Sequence, residues 1–147
     1  MLKLVTLLLI SPAAAAQVEP ETQWEDPYQG AIYTAVPKAA VPLLKTACDG
    51  DQYNKCTFSI SVDYDADGKK DRIYMANFRK EGLIIVDFAN KQKIPVVAAS
   101  FESPWDGRNY ISPDRDDKNA FLFIQPESSI AEFRMINGRP KVRWLSD

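Results

Sequence analysis

From Cys56 onward the apolar residues recur every second position, in short runs closed by turn-forming residues. That pattern constrains this chain more than any other feature. In "TFSISVD", Phe58, Ile60 and Val62 alternate with Ser59, Ser61 and Asp63, as in a strand with one face buried. "RIYMANF" continues the period, with Ile73, Met75 and Asn77 on one side and Tyr74, Ala76 and Phe78 on the other. "LIIVDF" is apolar without alternation and reads as a strand buried on both faces. "IPVVAAS" follows, its Pro95 placing it at an edge or an end of a sheet. Then come the apolar run Ala120 to Ile124, the imperfectly alternating "IAEFRMI", the hairpin dipeptide Asn137-Gly138, and "PKVRWL" with Val142 and Trp144 on one face. These runs predict a mainly β fold: an antiparallel meander or sandwich of about seven strands in a single domain over residues 31–147.

Upstream, the expectations differ. Residues 1–16, "MLKLVTLLLISPAAAA", combine Lys3, a short apolar run from Leu4 to Ile10 and a tract of small residues, the three parts of a secretory signal. The run is well short of the ~20 apolar residues a membrane span needs. The expectation is an exported protein, periplasmic or extracellular, with no membrane insertion after cleavage. Residues 17–30 are polar and carry Pro20 and Pro27; they read as an irregular arm that Trp24 and Tyr28 pin to the body. In "AVPKAAVPLLKTA", alanine, leucine and lysine favour helix while Pro37 and Pro42 limit it, so one short helix is expected to start near Pro42.

The two cysteines, Cys48 and Cys56, enclose seven residues that include the turn signal Asp49-Gly50. In an exported chain they are expected to form a disulfide, which would contribute roughly 2–3 kcal/mol by limiting the unfolded chain. The spacing is not CxxC and the chain has no histidine, which speaks against a redox or metal pair. The formal net charge of -2, without a polybasic run, argues against nucleic acid as a partner. Absent histidine also excludes histidine-based triads and zinc–histidine centres. No pair among the 20 acidic residues stands out as a glycosidase pair, so catalysis is not expected.

The densest chemistry lies in "SVDYDADGKKDRIYM". With Asp63 as position one, Asp65 and Asp67 fall at three and five, Gly68 at six, Lys69 at seven and Asp71 at nine. Alternate side chains of a tightly wound loop can converge on one hard cation, and Gly68 permits the sharp turn. Lys69 would offer only its backbone carbonyl. Four like charges in nine residues oppose one another unless a cation neutralises them, although Lys69, Lys70 and Arg72 give partial relief. Calcium suits such a site better than magnesium, which keeps more water. Tyr74 stands where an EF-hand needs a bidentate glutamate, and strands flank the loop, so an EF-hand is excluded.

The stretch "VDYDADGKKDRIYMAN" is similar to the calcium loop of FG-GAP and VCBS-type repeats, found in integrin-like propeller blades and many exported bacterial proteins. Those repeats carry Asp-x-Asp-x-Asp-Gly-x-x-Asp between two strands. The resemblance covers roughly residues 59–88. It implies Asp63, Asp65, Asp67 and Asp71 as side-chain ligands of calcium and Lys69 as the carbonyl ligand. A single repeat cannot make a propeller, which needs at least four blades.

A second acidic turn, Asp114 to Asn119, lacks the glycine and the spacing. The offset between matching features drifts from 51 residues (Asp63 to Asp114) to 46 (Val96 to Val142), as in a degenerate duplication or in any antiparallel meander. Trp105, Arg108 and Tyr110, in a turn-rich segment, form a candidate loop for a protein or glycan partner. The alternative is that Trp105 and Tyr110 cap the core. The expected function is an exported, calcium-stabilised β-rich binding or structural module. The alternative is a periplasmic inhibitor or immunity-type protein that binds an enzyme.

Overall fold

The computed structural model describes residues 23–27, 29, 33–44, 57–105, 107–126 and 128–146. The expected leader, Tyr28, Cys48 and Cys56 lie outside the described residues. Two antiparallel sheets carry the fold. The first comprises β1 (Val41–Pro42), β2 (Ser59–Val62), β3 (Asp71–Phe78), β4 (Glu81–Asp87) and β5 (Val96–Phe101). Its order is β1-β3-β4-β5, with β2 pairing the same edge of β3 beyond β1. The second comprises β6 (Tyr110–Pro113), β7 (Ala120–Gln125), β8 (Ser129–Ile136) and β9 (Arg139–Ser146), in that order. The described residues thus hold nine strands, two more than the period alone suggests, and the mainly β architecture agrees with the sequence.

Alternation explains the core. Phe58, Ile60 and Val62 point inward with Ile73, Met75, Ile84 and Val86, and meet Ile111, Phe121, Phe123, Phe133 and Val142 of the second sheet. Phe121 and Phe133, neighbours across β7 and β8, stack at 4.9 Å. Strand β4 is buried on both faces, as its unbroken apolar run requires: Leu83 and Ile85 face away from the second sheet, against Ala76, Val97, Tyr33, Val36 and Ala40.

Val41–Pro42, where a short helix was expected to start, pairs instead with Asn77 and Ala76 of β3, and residues 45–56, over which that helix would run, lie outside the described residues. Segment 33–44 is an irregular cover for the outer face of the first sheet. Tyr33, Val36 and Ala40 bury against β3 and β4, which draws the segment along the sheet face. Tyr33 also donates its hydroxyl to Glu81.

The two sheets are joined at both sides. Ile111 N donates to Thr57 O at 3.0 Å, linking the start of β2 to β6. On the other side the N-terminal arm pairs first with β9, through Glu25 and Val142, and then with β5, through Gln29 and Ser100. The arm therefore covers the edge strands of both sheets, where unpaired N–H and C=O groups would otherwise face water or other chains. Trp24 fastens it by lying against the Arg143 guanidinium, 4.7 Å from the ring centre, and Arg143 in turn pairs with the buried Glu132 at 2.9 Å.

Both halves are four-strand meanders, β2 to β5 and β6 to β9. The two acidic turns occupy equivalent places in them, before the second strand of each. At Asn137 and Gly138 both φ angles are positive (51° and 75°), the turn that a two-residue hairpin between right-twisted strands requires.

Candidate metal centre

The acidic loop joins β2 to β3 at one end of the sandwich. The inward alternation of β2 continues one step beyond the strand: Tyr64 follows Phe58, Ile60 and Val62 into the core, 1% exposed and 5.4 Å from the Phe121 ring. Anchoring Tyr64 inward turns Asp63 and Asp65 the other way. The loop then winds through Ala66 and Gly68, both in the left-handed region (φ 60° and 87°), and returns to Asp71 at the first position of β3.

This winding brings one carboxylate oxygen from each of Asp63, Asp65 and Asp71 within 4.8 Å of the others. Among the described residues no other acidic group converges in this way. The loop's N–H groups are gathered by the same side chains. Asp63 accepts from Asp67 N at 3.0 Å and Gly68 N at 2.9 Å. Asp71, wholly buried, accepts from Tyr64 N (2.9 Å) and Asp65 N (3.3 Å) on one oxygen and from Ala89 N (2.9 Å) on the other.

Asp67 lies outside the trio; its Oδ1 accepts Lys69 N at 2.8 Å. Of the five expected ligands, therefore, three side chains converge, while Asp67 and Lys69 bond to each other on the exposed side of the loop.

Three residues distant in sequence also reach the loop, and spacing gave no sign of them. Lys93 Nζ sits 2.7 Å from Asp65 Oδ2, and Ala89 N meets Asp71. Asn119, the last residue of the second acidic turn, donates Nδ2 to Asp63 O at 2.6 Å, so the two equivalent turns touch. The second turn is otherwise closed on itself, with Asp116 N on Asp114, Asn119 N on Asp117, and Arg134 paired to Asp117 at 3.4 Å.

Electrostatics differ between two members of the trio. Burial pushes the Asp71 carboxyl above the usual carboxylate range; the N–H groups of Ala89, Asp65 and Tyr64 pull it back, while the Asp65 charge raises it further. Asp65 also feels burial, but the Lys93 ammonium and the Asp67 N–H outweigh it and hold its carboxyl below the usual range.

A cleft of about 740 Å³ opens beside the loop, between Phe88, Lys93 and Ile94 on one side and Met135 and Pro140 on the other. Tyr64 lines it; its hydroxyl is buried with no hydrogen-bond partner among the described residues.

Of the candidate partner loop, Trp105 is 8% exposed. Its Nε1 donates to Leu83 O (2.9 Å), its backbone N donates to Asn77 Oδ1 (2.8 Å), and its ring packs on Phe101 and Phe123. Tyr110 packs half-buried against the same core, and Arg108 is exposed. No helix among the described residues is long and apolar enough to cross a membrane.

The chain matches no family model, no curated protein and no solved structure.

Proposed function

We propose that this chain is an exported β-rich binding or structural module in which a calcium ion fastens the loop between β2 and β3. The observation that carries this reading is the convergence of Asp63, Asp65 and Asp71. The donor set consists of oxygen alone, which suits a hard cation rather than zinc or copper. Several of these oxygens already accept N–H groups, yet each carboxylate has about four lone-pair sites, so capacity for an ion remains. Asp71 is buried next to the Asp65 charge, and a cation at the centre would relieve both penalties. Asp63, Asp65 and Asp71 would hold the ion, joined by Asp67 and the Lys69 carbonyl if the resemblance to the FG-GAP loop extends that far. The ion would neutralise the loop and tie β2 to β3. It would supply no reaction. Export rests on the leader-like residues 1–16 and would place the loop where free calcium is abundant. A protein or glycan is the class of partner that a module of this kind would bind.

Thermal unfolding tests the reading. Calcium at about a hundred times its Kd contributes about 2.7 kcal/mol, enough to raise the Tm by roughly 5–10 °C relative to chelator in a domain of this size. Asp65→Ala should remove that rise and leave a folded protein. Magnesium should give a smaller rise. Identical melting in chelator and in millimolar calcium would take the metal out of the reading altogether.

A further inference from the structure

Trp144, in β9, is the most exposed of the three tryptophans: Trp105 is in the core and Trp24 lies half-buried against Arg143, whereas Trp144 is 45% exposed. Leu145 beside it is 49% exposed. Indoles are highly buried on average, so one left this open on a strand needs a reason. A cavity of about 440 Å³ opens at this place, lined by Gln23, Glu25, Arg143, Trp144 and Leu145. Backbone pairing fixes its walls. Glu25 N donates to Val142 O at 2.8 Å, and Val142 N donates to Glu25 O at 2.9 Å. Across that antiparallel bridge Glu25 shares a side with Val142, and therefore with Trp144 two residues further along β9. Arg143 is held between Glu132 and the Trp24 ring. The side chains of Gln23 and Glu25, by contrast, are exposed and make no hydrogen bond among the described residues.

We propose that this cavity binds a β-linked glycan, with one sugar ring stacked on Trp144 and its hydroxyls on Glu25 and Gln23. This inference rests on the reading of the chain as a binding module and adds to it the partner's class and its place on the fold. A pyranose with equatorial substituents has a flat face of polarised C–H groups, which the electron-rich face of an indole attracts. Its rim carries hydroxyls, each a donor and an acceptor. A carboxylate accepts and an amide does both, so neighbouring hydroxyls find partners of either kind. The volume falls within the range of about 300–1,000 Å³ that small-molecule sites occupy. A stable protein interface uses roughly 20–30 residues a side, whereas five line this cavity. The partner role that the sequence offers to Trp105 thus passes to Trp144.

Calorimetric and fluorescence titrations with cellotetraose and with chitotetraose test it, comparing the unaltered chain with Trp144→Ala, Trp144→Phe and Glu25→Gln. The unaltered chain should bind at least one of the two sugars with a Kd at or below about 1 mM. Its tryptophan emission should shift to shorter wavelength as the sugar covers the indole. Trp144→Ala should bind about tenfold more weakly or worse, and Trp144→Phe should recover part of that loss. Glu25→Gln, which keeps the backbone bonds to Val142, should bind about fivefold more weakly. Both positions are exposed, so the variants should fold, and circular dichroism checks that they do. The cavity shares no residue with the acidic loop, so binding should be equal in chelator and in calcium. A Tm indifferent to calcium therefore fails the calcium reading alone. Failure of both sugars to bind in the millimolar range overturns glycan recognition and leaves a protein as the class of partner. Unchanged affinity in Trp144→Ala overturns this site even where a sugar binds.

Discussion

Asp71→Ala is expected to lower the unfolding free energy by about 3–4 kcal/mol, in chelator as well as in calcium. The reason is the number of donors that depend on one buried carboxylate. Tyr64 N, Asp65 N and Ala89 N all donate to it, from three places on two connections. Removing the acceptor strands three N–H groups, that of Tyr64 fully buried, and a buried donor without a partner costs about 1–3 kcal/mol. Two of the three are only partly buried, which keeps the sum below the upper limit. Asp71→Asn should recover only part of the loss. Both carboxylate oxygens accept, on opposite sides, so an amide must aim its NH₂ at one of the backbone N–H groups. Urea unfolding in chelator, followed by circular dichroism, gives the numbers. Asp65→Ala under the same conditions should cost less, about 1 kcal/mol, because it removes one ion pair, whose lysine is half-exposed, and the acceptor of the exposed Asp67 N–H. The two variants thereby separate Asp71, which holds the loop's backbone, from Asp65, whose main partner is a cation. An Asp71→Ala protein as stable in chelator as the unaltered chain would mean that these three bonds do not hold the loop.

The same contrast marks what the sequence could and could not disclose. Strand identity was legible because a half-buried strand imposes a period of two, and Phe58, Ile60, Val62 and even Tyr64 keep it. The double burial of β4 was legible in its unbroken run of Leu83 to Val86. The acidic trio was legible because its members lie within one loop, where spacing translates directly into position. Lys93, Ala89 and Asn119 were not, since their approach depends on how β4, β5 and β7 fold back upon the loop. The cover formed by segment 33–44 was not legible for a related reason. Its alanines and leucines carry helix propensity, a weak local preference, whereas its role is set by the apolar outer face of β3 and β4, which it covers. The acidic turn at Asp114, matched to Asp63 by its offset of 51 residues, holds the place in the second meander that the Asp63 loop holds in the first.

Gly82→Ala is the other substitution expected to have a large effect, although it adds a single methyl group. Gly82 lies in β4, paired with Asn77 on one side and Phe101 on the other. Nothing about its backbone requires glycine: its φ is not left-handed, and alanine would ordinarily be the better residue in a strand. What excludes a side chain is Trp105. A Cβ at position 82 would lie 2.6 Å from Cε2 and 2.7 Å from Cδ2 of the indole, and 2.9 Å from Ser103 O. These atoms belong to the body of a fused ring and to the backbone, so neither can swing aside as a flexible chain end would. The indole is further held by its bond to Leu83 O and by Phe101 and Phe123. Alanine must therefore push the Trp105 segment outward, at a cost of about 3 kcal/mol, the upper part of the usual range for overpacking. Tryptophan emission should shift to longer wavelength as the ring meets water, and the denaturant midpoint should fall. Trp105→Leu alone loses ring contacts and is destabilising as well. Combined with Gly82→Ala, however, it removes the obstruction, so the double variant should be more stable than the sum of the two single losses predicts. Strict additivity would place the strain elsewhere than at the glycine–indole contact, and an unshifted emission spectrum in Gly82→Ala would mean that Trp105 is free to adjust within the core.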